Sequence, residues 1–436
     1  MSSSATSPDA SRTFTGAAID AHHSGHRSAV VVGPLDLPDA NCASHRLIRF
    51  AKHGPHTRIG LVPSHDRRAW SYAPDRLADA VHTAPPTDDP LALLDVLAAL
   101  PPRHLRVVLS GRYLAIDYDH GLGDTTLLNT IVDVLLSEEI PETVPTSPRG
   151  WTPTRALALA GAAVLSNPRR LIALARMHRS RDYLASQPSA LEPVDPPRSA
   201  TSVFVRTPRD VVESMRAART SRAPGVGMFT LHTVALVRAL TAAGLRVNPM
   251  VTLPFDARAY LPRSVGTMAN FAAGLDFAVL PDTAPVALQA ELSAASSMGS
   301  PVANLLVTAA KSRVAESRAA GRSRTTERRS VEATGQQSWA PAGEAAIDLL
   351  HSSGGVVPGR GRGWDFVDTD KALVIGIAEP PSPTGITVTS TSVAGSLCLT
   401  ATFRDDVFPA DAVTAALADL PAQALAALGE TITAKR

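Results

Sequence analysis

The amino-acid sequence predicts a mixed α/β (α+β) protein with two lobes, on three observations. Strand-like and helix-like segments occur in both halves of the chain, in blocks and not in strict βαβ alternation. The chain has 436 residues, enough for two or three domains at about 150 residues each. A Pro-rich segment over residues 187–199 is typical of a linker, and we place the boundary between the lobes there.

In the first half of the chain, the patterns predict several short elements. Strands are predicted over residues 28–35, 57–62, 104–109 and 112–118, and a helix over residues 90–100. Ser110 and Gly111 are typical of a tight turn between the last two strands. A glycine-rich loop from His120 to Asp124 follows, and then a helix for which Asp124 and Thr125 stand where the N-cap should be.

The rest of the chain again mixes both element types, with its first helix still before the linker. Helices are predicted over residues 154–184, 209–219, 228–243, 284–298, 302–319 and 410–428. Strands are predicted over residues 201–206, 246–253, 372–377, 385–393 and 396–403, and a loop over residues 321–345. The last two strands flank Ala394 and Gly395, a hairpin signal.

The composition argues against several functional classes. Lys and Arg total 42 and Asp and Glu total 40, a formal charge of +2, whereas a general nucleic-acid binder usually has a basic excess. The two cysteines, Cys42 and Cys398, are too few for a disulfide scaffold or a Cys-rich zinc site. Apolar residues make up 44%, which suffices for a sizeable core.

The N-terminal residues 1–25 are polar and lack the pattern of a signal peptide, so we expect a flexible tail. This segment contains four potential metal ligands, Asp20, His22, His23 and His26. We interpret this cluster as incidental and not as a metal site. The longest strongly apolar stretch, residues 156–165, is shorter than the ~20 residues of a membrane-spanning helix. With the low cysteine content, these features predict a cytoplasmic protein without integral membrane association.

The motif with the clearest chemistry is His120-x-x-x-Asp124, directly after a predicted strand. A histidine beside glycines can project into a cleft, and its ordinary pKa of about 6.5 lets it accept a proton at neutral pH. A second His-x-x-x-Asp motif, from His178 to Asp182, lies in a basic segment, and we interpret it as a surface pair. Taken alone, the first motif also fits a loop histidine beside a simple N-cap.

Residues 104–136 resemble the core of the acyltransferase superfamily that includes chloramphenicol acetyltransferase, nonribosomal peptide condensation domains and acyltransferases of the HxxxD type. In that family, two strands lead to His-His-x-x-x-Asp-Gly and then to a helix. Residues 251–271 resemble the family's second-lobe segment, a strand ending in Asn/Asp-x-Arg with Asn-Phe downstream. Residues 386–425 resemble its final hairpin and helix.

The resemblance implies two chloramphenicol-acetyltransferase-like lobes that form a V around a central tunnel. After the tail, residues 26–190 are expected to form the N-terminal lobe with the motif, and residues 200–436 the C-terminal lobe. His120 is then expected to be the general base, with no acyl-enzyme intermediate. Asp124 and Arg258 are expected to form a supporting salt bridge, together with Gly123 in the loop. Cys398 is expected to be buried in a strand.

The chain departs from the family pattern at two positions: Asp119 replaces the first histidine, and Thr125 replaces the glycine after the aspartate. Family members with only the second histidine exist. We expect Asp119, Asn270 and Ser352 to lie near the tunnel or the site. Asp119 is a candidate for orienting His120, although neighbouring side chains on a strand often point apart.

Residues 311–330 are rich in basic side chains. This pattern fits a solvated helix end and loop. It also fits a docking site for coenzyme A phosphates or an acidic carrier protein. For the second interpretation the candidate residues are Lys311, Arg313, Arg322 and Arg324.

The resemblance therefore implies an acyltransferase that uses an acyl-CoA and a small hydroxyl or amine acceptor. The Ala- and Arg-rich composition of the chain fits a high-GC bacterial gene, and such genes often serve specialised metabolism. No permanently bound cofactor and no metal are expected; acyl-CoA or a phosphopantetheinyl thioester is the co-substrate. One alternative takes the donor from a carrier protein in trans, and another is a non-catalytic condensation-like scaffold. A metal hydrolase is a distant fourth, because no third ligand is evident.

Overall fold

The computed structural model describes residues 12–64, 68–137, 153–167, 170, 200–263, 265–323, 345–358 and 363–429. Several predicted features lie outside these ranges: the second half of the 154–184 helix with the His178 motif, the 187–199 linker, and residues 324–344 of the predicted loop. Strands and α-helices are numbered below in chain order.

A five-stranded sheet forms the centre of the first lobe. Its strands, in spatial order, are β12 (Leu373–Ala378), β2 (Arg27–Gly33), β7 (Tyr113–Asp119), β6 (Leu105–Ser110) and β5 (Val81–Ala84). β6 and β7 form the predicted hairpin, and Gly111 in its turn has a φ of 56°, which glycine adopts without strain. The neighbouring strands are antiparallel except for β5 and β6.

The strand β12 comes from the second half of the chain but joins this first-lobe sheet, where Val374 pairs with Val32. The assignment of all residues after 200 to a second lobe is therefore wrong for this strand. The reason is that β2 carries three consecutive buried valines, Val30 to Val32. Such a strand needs neighbours on both sides, because its buried backbone groups must be hydrogen-bonded.

Helices cover this sheet and complete the first core. They are α2 (Ala40–Ala51), α3 (Leu93–Ala99) and α4 (Thr125–Leu136). The helix α2 was not predicted, although Ala43, Leu47 and Phe50 recur at helical spacing and form its buried apolar face. The predicted strand over residues 57–62 is mostly a 3₁₀ turn, Pro55–Thr57, and a short strand β3 (Leu61–Val62).

The N-terminal segment is not a tail over residues 12–25. It forms β1 (Arg12–Thr15), which pairs with β4 (Ala69–Tyr72), and then the short helix α1 (Ala18–His23). Ala17, Ala18 and Ile19 are buried. Burial of this apolar patch offsets the entropy cost of ordering the segment. The patch was not recognised in the sequence, because residues 1–25 are polar on average.

A six-stranded sheet forms the second lobe. Its strands, in spatial order, are β10 (Ala272–Ala278), β9 (Met250–Asp256), β11 (Asp348–Val357), β13 (Gly385–Val393), β14 (Ser396–Phe403) and β8 (Thr201–Thr207). β11 runs parallel to both neighbours and was not predicted, because it contains the sequence His-Ser-Ser-Gly-Gly. Its register shifts between Ser353 and Gly355, so the glycines accommodate a bulge.

The remaining helices agree with the predicted pattern, except that the first of them ends at Leu165, short of the predicted helix over residues 154–184. They are α5 (Pro153–Leu165), α6 (Arg209–Arg222), α7 (Met228–Ala242), α8 (Pro285–Met298), α9 (Ser300–Ser323) and α10 (Ala410–Ala427). Buried faces of α7 and α10 pack into the second core with the six-stranded sheet. Within the described ranges, no helix combines the length and the apolar character needed to span a bilayer.

Candidate active site

His120 lies where β7 ends, in a single 3₁₀ turn over His120–Leu122. Its ring Nδ1 lies 3.1 Å from the carbonyl oxygen of Gly123. A carbonyl oxygen can only accept, so Nδ1 carries the hydrogen and Nε2 is the basic nitrogen of the neutral ring. The main-chain N–H of His120 donates to the carbonyl of His26 at 2.8 Å, which fixes the start of the turn.

Asp119 supports this turn through the backbone and not through the imidazole. Its Oδ1 accepts from the N–H of Gly121 at 2.8 Å, and its Oδ2 accepts from the N–H of Gly25 at 3.1 Å. The side chain is buried. The residue that replaces the first family histidine thus connects the loop of His120 to the N-terminal segment.

The end of the loop approaches the second lobe closely. A Cβ atom at Gly123 would lie 2.2 Å from the carbonyl oxygen of Met268, so a glycine is required there. The amide of Asn270 donates to the carbonyl oxygen of His120 at 2.5 Å. Gly123 and Asn270 therefore set how the loop of His120 sits against the second lobe.

Asp124 and Arg258 form a bidentate ion pair between the lobes. Arg258 Nη1 donates to Asp124 Oδ2 at 2.9 Å, and Nη2 donates to Oδ1 at 3.0 Å. Asp124 also accepts from the N–H groups of Thr126 and Phe271, at 3.0 Å each. Arg258 further donates to the carbonyl oxygens of two residues of its own lobe, Thr267 and Ala269. Asp124 is also the N-cap of α4, as predicted.

A second ion pair below the loop was missed from the sequence. Arg58 donates through Nη2 to the carbonyl oxygen of Gly121 at 3.0 Å and through Nε to that of Leu122. The same Nη2 lies 3.0 Å from Oδ1 of Asp20 on α1. Neither residue belongs to a motif. The one local signal, the positive φ of 67° at Arg58, is visible only in the structure.

The loop faces a cavity of about 560 Å³ lined by both lobes. His120 and Leu128 contribute from the first lobe, and Asn270, Ser352 and Thr389 from the second. Ser352 thus lies at the cavity. The preceding residue, His351, points the opposite way into the second core, as strand alternation requires, and is completely buried.

Three further imidazoles line this cavity: His22, His23 and His26. The ring centroid of His23 lies 4.9 Å from that of His120, with the two planes tilted by 57°. The placement of these histidines in a flexible tail is therefore wrong. Because α1 is anchored by buried residues, it carries its imidazoles to the mouth of the cavity.

The electrostatic environment favours a neutral His120. Burial lowers the pKa of His120, although the hydrogen bond to Gly123 and the charge of Asp124 oppose this. Burial, and then the proximity of His120, hold the pKa of His23 well below its ordinary value. At the cavity rim, the hydrogen bond from His26 Nδ1 to Glu379, 2.8 Å long, raises the pKa of His26.

The basic residues proposed to dock the acyl donor lie away from the interlobe cavity or outside the described residues. Lys311 and Arg313 are exposed on α9 and do not line the cavity. The side chain of Arg322 and the whole of Arg324 lie outside the described residues.

Cys398 is buried in β14, where burial raises the pKa of its thiol to about 11. Among the residues that the structure describes, no group of His, Cys, Asp and Glu is arranged to hold a metal ion.

Comparison with known proteins relates this geometry to a fold. No protein-family model matches the sequence, and no curated protein matches it. Solved structures do match. The nonribosomal peptide synthetase FmoA3 gives a TM-score of 0.58 at 16% identity over 98% of this chain, which spans 43% of the FmoA3 chain. The TRI3 trichothecene 15-O-acetyltransferase of Fusarium sporotrichioides gives 0.59 at 13% identity, covering 96% of this chain and 94% of TRI3.

A third match is the first condensation domain of the calcium-dependent antibiotic synthetase. It gives a TM-score of 0.56 at 15% identity, covering 96% of this chain and 97% of that domain. At these identities the similarity shows the fold. The chain therefore has a two-lobed fold like that of these condensation domains and this acetyltransferase, in agreement with the fold that the resemblance in its sequence implies.

Proposed function

We propose that the protein transfers an acyl group from a thioester to a hydroxyl or amine of a small molecule, with His120 as general base. The observation that carries the proposal is the hydrogen bond from His120 Nδ1 to Gly123, which leaves Nε2 basic at the interlobe cavity. This cavity is our candidate for the expected tunnel. Its volume of about 560 Å³ is sufficient for a small-molecule substrate.

The reaction proceeds in two steps. Nε2 of His120 removes the proton of the acceptor O–H or N–H while the acceptor attacks the thioester carbonyl carbon. The tetrahedral intermediate then collapses, the carbon–sulfur bond breaks, and the imidazolium returns the proton to the departing thiolate. No covalent acyl-enzyme forms, so no nucleophilic side chain is needed.

Asp124 and Arg258 are positioning residues in this proposal. Both carboxylate oxygens of Asp124 are fully engaged, each with one arginine N–H and one backbone N–H. A carboxylate so satisfied is a poor proton carrier, because protonation would sacrifice charge-assisted hydrogen bonds. The pair instead fixes the spacing between the loop of His120 and the second lobe.

The donor is a thioester of either coenzyme A or a carrier protein. The fold neighbours include an acetyltransferase and a condensation domain, so the fold is compatible with both. We place the donor's phosphates or an acidic carrier at the basic residues 311–330, where Lys311 and Arg313 are exposed. We further propose a role in natural product biosynthesis, which the match to a nonribosomal peptide synthetase supports. We also propose a cytoplasmic location.

The test is thiol release from a panel of acyl-CoAs and, separately, acyl carrier proteins, each with mixed alcohols and amines. Wild type is compared with His120→Ala and with the matched control His45→Ala, which removes an exposed imidazole on α2. We expect release in wild type and His45→Ala and loss of about 100-fold to 10,000-fold in His120→Ala. Equal release from all three proteins would exclude His120 as the base. Release from none, with both donor panels, would favour a scaffold.

A further inference from the structure

One wall of the interlobe cavity changes from polar to apolar with distance from His120. Three elements form this part of the wall: β2, α4 and β12. Close to His120 they contribute Ser28 of β2 and Thr125 of α4. Farther along they contribute apolar side chains, which are Val30, Val32, Leu128, Val132 and Val374. Asn129 is a polar exception on α4.

The strand register shows that the apolar ends of these elements coincide. Arg27 at the start of β2 pairs with Asp119, the neighbour of His120. At the other end of β2, Val32 pairs with Val374 of β12. The helix α4 also starts beside His120, at Thr125, and leads away from it. The cavity therefore has an arm that leaves His120 between β2 and α4.

The length of this arm follows from the geometry of its walls. From Thr125 to Val132 the helix advances about 10 Å, at ~1.5 Å per residue. From Ser28 to Val32 the strand advances about 13 Å, at ~3.3 Å per residue. An extended chain with backbone-like bond geometry covers about 1.2 Å per bond, so the arm accommodates roughly eight to ten bonds.

Trp364 closes the far end of the arm. Its indole Nε1 donates to Asp133 Oδ1 at 2.8 Å, and Asp133 directly follows Val132 on α4. The indole is thus held two helical turns from the start of α4. The end is enclosed: Val32 and Val132 are 0% exposed and Trp364 is 6% exposed.

We propose that this arm binds an extended apolar group of a substrate, about eight to ten bonds long, and that Trp364 limits its length. The inference rests on the proposed function, because the arm begins at the general base. The apolar group is carried by the acyl donor or by the acceptor. Either source places the reacting atom beside His120 and the hydrocarbon against Leu128, Val132 and Trp364.

A binding experiment tests the arm without turnover. Affinities of straight-chain fatty acids of 4 to about 14 carbons are measured calorimetrically for His120→Ala, which retains the apolar walls of the arm. We expect the dissociation constant to fall about threefold to fourfold per added methylene and then to level off near eight to ten carbons. In the double variant with Trp364→Ala, the levelling-off should move about two to four carbons longer.

A second variant guards against misfolding of Trp364→Ala. Leu128→Phe adds volume at a half-buried position one turn into α4, and should move the limit to shorter chains. Its matched control, Leu94→Phe, makes the same change on α3, at a half-buried residue that does not line the cavity, and should leave the limit unchanged. An affinity that does not vary with chain length, or one limit shared by all folded variants, would overturn the inference.

Turnover then identifies the source of the apolar group. In the wild-type background, Leu128→Phe and Trp364→Ala are assayed with a chain-length series of acyl-CoAs and a series of alkyl alcohols and amines. The series whose optimum shifts is the one that occupies the arm. A length limit in binding without acyl transfer would support the arm and reject the proposed function. Acyl transfer without a length limit would do the reverse.

Discussion

The side chains of Asp20 and Arg58 form a buried ion pair directly beneath the loop of His120. The distance from Asp20 Oδ1 to Arg58 Nη2 is 3.0 Å, and the two side chains are 0% and 3% exposed. Arg58 also donates to the carbonyl oxygens of Gly121 and Leu122, and its guanidinium lies over the ring of Trp70. The pair therefore joins the N-terminal helix to the loop of His120.

This geometry predicts a large cost for Asp20→Asn. The change leaves the charge of Arg58 buried without a counter-ion, so we expect a loss of about 3–5 kcal/mol in the free energy of unfolding and reduced acyl transfer. The control is Asp75→Asn, which removes an exposed partner of Lys52 and should cost less than ~1 kcal/mol. Urea unfolding measures both. Similar costs for the two variants would contradict a structural role of the buried pair.

The contact between His23 and His120 predicts a selective effect on kcat. His23→Ala removes the ring that packs 4.9 Å from His120, so the base is held less firmly and kcat should fall about tenfold or more. His23→Phe keeps the ring and should recover most of the rate. His22→Ala, one residue away at a more exposed position, is the control. Equal rates for His23→Ala and wild type would remove His23 from the site.

The Asp124–Arg258 pair predicts that Arg258→Lys is not conservative. Lysine cannot make the bidentate contact or donate to the carbonyl oxygens of Thr267 and Ala269, so kcat should fall about tenfold to 100-fold. Arg209→Lys, at an exposed ion pair with Glu213, is the matched control and should be neutral. Steady-state kinetics with the best donor checks this. Full activity of Arg258→Lys would mean that the loop is positioned without the pair.

The pKa of His120 predicts the acid limb of the pH–rate profile. A general base must be deprotonated, so kcat/KM falls as the pH drops through the pKa of free His120. Because burial lowers this pKa, the half-maximal point should lie below the ordinary value of 6.5. Asp119→Asn removes a nearby negative charge that raises the pKa of His120, and should shift the limb further toward acid. An apparent pKa above 6.5 would contradict this environment.

Two buried histidines of the second lobe predict loss of stability in acid. Burial lowers the pKa of His351 to about 3 and that of His232 to about 4. Between these values and 6.5, the unfolded chain binds more protons than the folded one, so stability is complete above pH 6.5 and declines as the pH falls toward 4. The expected loss is on the order of a few kcal/mol.

The test is the pH dependence of the unfolding free energy in His351→Gln. The imidazole of His351 lies 2.8 Å from Thr233 Oγ1 and 3.0 Å from Ser390 Oγ, and an amide can replace these hydrogen bonds without titrating. We expect a shallower slope between pH 6.5 and 4 than in wild type. His45→Gln, an exposed control, should keep the wild-type slope.

Local patterns predicted much of the fold. The hairpin around Gly111, the N-cap at Asp124 and the helices in the second half follow from turn chemistry, capping and apolar periodicity, which act between residues close in sequence. The strand β11 was not predicted from the sequence, because its two glycines and two serines weaken the strand pattern. It forms because parallel neighbours on both sides satisfy its backbone.

The sequence by itself predicted the two-lobed fold and gave His120, Asp124 and Arg258 as candidate site residues, because these lie in segments with a recognisable order of strand, loop and helix. Only the tertiary structure could bring α1 and Arg58 beneath the loop, place β12 beside β2, and close the apolar arm with Trp364. These contacts join residues dozens to hundreds of positions apart. Their stability comes from burial and from satisfied hydrogen bonds between distant segments, which leave no local signature in the sequence.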